Sequence, residues 1–273
     1  MHPFSRSGTD RRALVRVVRM ALMLKRKITI GVLVLYWPAL FVSAHVPIPR
    51  FVREADVSDK ALHFLAYLVL TFLLWLAVIG DKKVRWRRAA AWCMLLFMAG
   101  YGVADELLQK LVAGRTCDVQ DFFMDVTGML TAMFLLSFLT FWPAAFSVAA
   151  IFIFGITNVA RANVADLLPV ASALFYLFAY AVLTLLWVQS LKRLVSRRDP
   201  RRITIMWVML ALVVPLALLL TVKLTSILLG RMFVVKDMLT SAAGIGAAVA
   251  LTWLVLLLRG AETGDISYRQ RCG

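Results

Sequence analysis

Eight separate apolar stretches, each long enough to cross a membrane, constrain this chain more than any other feature. A helix rising 1.5 Å per residue needs about 20 residues to cross a hydrocarbon core of roughly 30 Å. Stretches of that kind lie near residues 28–46, 61–79, 89–109, 121–141, 144–160, 168–188, 203–222 and 237–258. The composition agrees, since 62% of the 273 residues are hydrophobic, where soluble domains average about 45–50%. The expected fold is therefore all-α, a polytopic transmembrane bundle of eight helices. The division between the fourth and fifth is the hardest to place, because residues 121–160 are apolar apart from the acids at their start and the stretch "FWPAAF". Pro143 is the expected break, having no backbone N–H and disfavouring helix in the residue before it.

Lysine and arginine set the expected orientation, because positively charged flanks stay cytoplasmic. With the N-terminus inside, the inner segments hold 22 of the 31 basic residues and the outer segments nine. Ten of the fifteen acids fall on the outer side. The net charge of +16 is thus mainly a property of the inner face, and basic flanks of membrane helices explain it without a nucleic-acid partner. The stretch "RRALVRVVRMALMLKRK" reads as a basic amphipathic helix along the inner headgroups. "FVSA" at 41–44 resembles a cleavage site, but the long basic region before a full-length span favours an uncleaved first helix. The three cysteines, Cys93, Cys117 and Cys272, fall in a span, an outer loop and the inner end, so no intrachain disulfide is expected. No spacing suggests a zinc site, and no metal or cofactor is expected.

Sliding the sequence on itself reveals an internal repeat. "LAYLVLTFL" at 65 aligns with "FAYAVLTLL" at 178, and "GRTCDVQDFFMDVTG" at 114 with "GRMFVVKDMLTSAAG" at 230. Both copies of the second pair carry Arg, Asp and Gly at matched spacing: Arg115, Asp121 and Gly128, then Arg231, Asp237 and Gly244. Each half has an even number of spans, so the halves are expected to be two parallel four-helix repeats. The expected organisation is a cytoplasmic basic segment at 1–27, four-helix units at 28–142 and 143–258, and a cytoplasmic tail at 259–273.

At these residues the chain resembles the VanZ-like family, named for a protein associated with resistance to the glycopeptide teicoplanin. The family pattern of Asp-Lys and His-Phe before a Tyr is met by Asp59, Lys60, His63, Phe64 and Tyr67. Its acid-Glu pair with a following Gln is met by Asp105, Glu106 and Gln109, and its Gly-Arg, Asp and Gly by Gly114, Arg115, Asp121 and Gly128. A family Asn is Asp125 here, which adds an acid. The resemblance covers roughly residues 30–140 well and the second half in outline. It implies a multi-pass protein of a bacterial-type inner (cytoplasmic) membrane, linked to the cell envelope and to antibiotic resistance, and the charge pattern adds the expectation that both termini are cytoplasmic.

The second copy has Ser172, Ala173 and Tyr176 where the first has Asp59, Lys60 and His63, and Val222 and Thr225 where it has Glu106 and Gln109. What both copies keep reads as scaffold, and what only the first has reads as its site. On helices, Asp59, His63 and Tyr67 share a face, as do Asp105 and Gln109, and Asp121, Asp125 and Gly128. Charges near a bilayer normally point into the bundle. The expectation is one outward-opening polar pocket between the second, third and fourth helices, with Arg115 and Lys60 as counter-charges to the acids. Plainer roles stand beside this one. Asp59 suits an N-cap, Asp121 suits a pair with Arg115, and His45 with the following "VPIP" reads as a loop.

Three function classes follow. The first is a non-catalytic module binding an envelope lipid or cell-wall-related ligand, alongside ordinary membrane lipids. The second is an enzyme using Glu106 or His63 as acid or base on a lipid-linked substrate, and the third a transporter relaying protons through the same acids. The sequence has no nucleophile motif or phosphate-cradling loop, and no polar path across the bilayer, so the binding module ranks first.

Overall fold

The computed structural model describes residues 7–46, 58–112, 118–159, 169–195, 200–230 and 234–272. Among the described residues there are eight helices and no strand: α1 (Ser7–Ala44), α2 (Asp59–Val78), α3 (Ala89–Gln109), α4 (Val119–Phe138), α5 (Phe141–Val159), α6 (Pro169–Val195), α7 (Pro200–Leu228) and α8 (Val235–Cys272). Each contains a stretch long and apolar enough to cross a membrane, as the hydropathy pattern leads one to expect.

Two boundaries differ from the sequence reading. The basic segment and the first span form one continuous helix, because no glycine or proline between Thr9 and Ile30 interrupts it. The second difference is the break between α4 and α5. It lies at Leu139, which is extended (φ −95°, ψ 152°), and not at Trp142, which is already helical. The proline acts four residues upstream. Its ring would clash with the Leu139 carbonyl if one helix ran through both, and it has no N–H to offer that carbonyl. Pro143 itself sits in the first turn of α5, where backbone N–H groups have no intrahelical partner anyway.

The chain divides into two compact units, one from residues 1–48 and 63–140, the other from 49–62 and 141–273. In the first unit α2 is the core element, burying Leu65, Tyr67, Leu68, Leu70 and Trp75 almost completely. The Tyr36 hydroxyl donates to the Ala66 carbonyl at 3.1 Å and Arg26 Nε to the Ala77 carbonyl at 3.1 Å, which tie α1 to α2. α4 lies directly on α2 at Gly128, where any Cβ would collide with the Phe64 carbonyl oxygen. The unit separates its charges. One end carries Lys25, 3.8 Å from Asp81, and the other carries the acids of α3 and α4.

The second unit packs α5 to α8 around Ile153, Tyr180, Leu183, Leu219 and Ile245, with a further cluster around Val188, Trp207 and Val249. Its α8 meets α6 at Gly244, where a Cβ would collide with the Leu177 carbonyl oxygen. Gly244 aligns with Gly128 and Leu177 with Phe64, so each unit uses its glycine for the same backbone approach. Tyr67 with Thr71 and Tyr180 with Thr184 are likewise matched in sequence and buried in their own units.

Candidate functional site

One end of the first unit gathers a polar cluster from three helices. α2 contributes His63 and Tyr67, one turn apart on its inner face; the last turn of α3 contributes Asp105, Glu106 and Gln109; and the first turns of α4 contribute Asp121 and Asp125. All seven are buried, and Asp125 is wholly inaccessible at 0%. Small residues permit this. Gly128 seats α4 on α2, and Gly102 leaves room beside Asp125, whose Oδ2 would lie 3.4 Å from an added Cβ.

The contacts are specific. His63 Nδ1 lies 2.9 Å from Asp125 Oδ1, a hydrogen bond between two buried side chains, and 3.8 Å from Glu106 Oε1. The backbone N–H of Asp118 donates to Glu106 Oε2 at 3.1 Å. Glu106 therefore ties the end of α3 to the N-cap of α4, whose Asp118 side chain accepts from the Gln120 N–H at 2.8 Å. Gln109 Nε2 donates to Asp105 Oδ2 at 3.0 Å, one helical turn away. The Tyr67 ring stands 6.0 Å from that of Tyr101, and Tyr101 makes an edge contact with Trp37 at 5.4 Å. Glu106 Oε1, Asp125 Oδ2 and the Tyr67 hydroxyl are buried without a hydrogen-bond partner. Atoms in that state cost free energy until something satisfies them.

Of the residues singled out from the sequence, His63, Tyr67, Asp105, Glu106, Gln109, Asp121 and Asp125 come to this one end of the unit. Asp59 and Lys60 form the first turn of α2, in the part of the chain grouped with the other unit. Gly114 and Arg115, expected to balance Asp121, lie outside the described residues, as does Arg231. His45 is more than a loop residue. Its Nε2 is 3.8 Å from Asp105 Oδ1, while its Nδ1 hydrogen-bonds the Phe41 carbonyl at 2.8 Å. Nothing in the sequence distinguished it, because the contact spans 60 residues and two helices. Tyr101 was missed for the same reason.

The second unit has a largely buried ion pair of its own: Lys223 Nζ lies 3.5 Å from Asp237 Oδ2 and 4.7 Å from the centre of the Tyr176 ring. Lys223 follows Val222, the residue aligned with Glu106, and a strict position-by-position comparison passes over it.

Residues 34–140 match the family described as VanZ/LLP1. No curated protein matches the chain, and no solved structure does.

Proposed function

We propose that the buried cluster between α2, α3 and α4, within the segment 34–140 that is similar to the VanZ/LLP1 family, is a pocket for the polar end of an envelope lipid or cell-wall-related ligand. The observation that carries this reading is the set of buried polar atoms without partners, Glu106 Oε1, Asp125 Oδ2 and the Tyr67 hydroxyl. Two of the three are carboxylate oxygens, so the complementary ligand presents N–H or O–H donors, with an amine favoured over a bare phosphate. The 22-to-9 split of basic residues supports an outward-facing position for this end of the unit, where an envelope ligand, or a glycopeptide such as teicoplanin, would reach it. The second unit, with Tyr176 and Val222 in place of His63 and Glu106, is a degenerate repeat kept as scaffold.

Native mass spectrometry of the detergent-extracted protein tests the binding. Titration with phosphatidylethanolamine, which carries an amine, should give a one-lipid adduct that phosphatidylglycerol does not, and Glu106→Gln should abolish it. Equal retention of both lipids, or an adduct unchanged in Glu106→Gln, contradicts the reading.

A further inference from the structure

We propose that His63, Glu106 and Asp125 form a binding site for one divalent transition-metal cation. The inference concerns the pocket described above but does not need its lipid, because the cation site stands on these three side chains alone.

The first argument is geometric. One donor atom from each residue lies within 4.8 Å of the other two, and the three residues come from three different helices. Ligands at about 2.1 Å from a metal and at right angles to one another stand about 3 Å apart. His63 Nδ1 and Asp125 Oδ1 already stand at 2.9 Å, and a metal bound there takes the place of the proton of their hydrogen bond, which is released to solvent. Glu106 Oε1 stands 3.8 Å from the same Nδ1.

The second argument is that carboxylate oxygens remain to be used. Glu106 and Asp125 are 4% and 0% exposed, and each has one oxygen without a hydrogen-bond partner. The other Glu106 oxygen accepts the Asp118 N–H, the kind of outer contact that orients a ligating carboxylate and leaves its second oxygen free for the metal. Charge supplies the third argument. Like charges held close repel, and a cation bound between Glu106 and Asp125 relieves that repulsion.

The donor set selects the class of ion. One imidazole with two carboxylates suits Mn²⁺, Fe²⁺ or Zn²⁺ better than ions preferring all-oxygen shells or thiolates. Sequence spacing gives no hint of the site, since its members lie far apart along the chain and no local motif joins them. The second unit is a built-in control. Its aligned residues are Tyr176, Val222 and Ser241, a set without imidazole or carboxylate, and Asp237 there is balanced by Lys223.

The test uses tag-free full-length protein in detergent, stripped with a chelator, equilibrated with Mn²⁺ and freed of excess by gel filtration. Wild type and the double variant Lys223→Met with Asp237→Asn should retain about one equivalent, and Glu106→Gln and Asp125→Asn should fall to background. Electron spin-echo spectra of the Mn²⁺ form should show coupling to a histidine nitrogen, a readout that needs no variant to fold. Wild-type protein that retains no Mn²⁺, bound Mn²⁺ without nitrogen coupling, or full retention by folded Glu106→Gln and Asp125→Asn overturns the proposal. A cation and a lipid amine would draw on the same carboxylates, so the lipid titration is run on the chelator-stripped protein, and the two can then fail independently.

Discussion

Lys223 shows at the scale of one residue how the second unit manages charge. Its ammonium is 3.5 Å from Asp237 Oδ2 with both side chains largely buried, and it stands over the Tyr176 ring, a contact that attracts a cation electrostatically. Removing one partner of a buried pair strands the other, typically at a cost of about 3–5 kcal/mol, whereas removing both can be nearly neutral. Lys223→Met should therefore lower the thermal midpoint of the extracted protein clearly, and Lys223→Met with Asp237→Asn should recover most of the loss. If the double variant is as unstable as the single one, the pair is not what Lys223 contributes. Glu106 is a different case. Glu106→Gln should leave folding intact while removing ligand, because only its charge is lost.

At the scale of helices, what was legible in the sequence follows from what bilayers demand locally. Each span must be long and apolar, so all eight can be read from hydropathy, and glycines at matched positions can be read as close approaches. Helix ends are less visible. The effect of Pro143 falls on the Leu139 carbonyl, one turn away from the residue that carries the signal. Periodicity also places His63 with Tyr67 and Asp121 with Asp125 on shared faces, yet it says nothing of which faces meet. The 2.9 Å contact between His63 and Asp125 and the approach of His45 to Asp105 are facts of packing between helices. The glycines give a direct test of that packing. Gly128→Ala puts a methyl group into the Phe64 carbonyl, while Gly102→Ala meets its nearest neighbours at 3.4 Å. Overpacking of the first kind costs about 1–3 kcal/mol or more, so Gly128→Ala should lower the thermal midpoint and Gly102→Ala should change it little. Equal effects would mean that α2 and α4 do not approach at Gly128.

For the molecule as a whole, the account holds that the first unit, similar to the VanZ/LLP1 family over residues 34–140, carries a buried acidic cluster, and that the second unit keeps the packing glycine and lacks His63 and Glu106. The whole reading as an envelope-binding protein depends on which side of the membrane that cluster faces. Cys117 lies in the segment between α3 and α4, next to the cluster in sequence, and Cys272 lies at the far end of the chain. The most direct measurement is labelling of these two thiols in intact cells by a reagent that cannot cross the membrane, in a Cys93→Ser background. The account predicts that Cys117 reacts in intact cells and Cys272 only after lysis. Labelling of Cys272 with protection of Cys117 would place the cluster in the cytoplasm and contradict it.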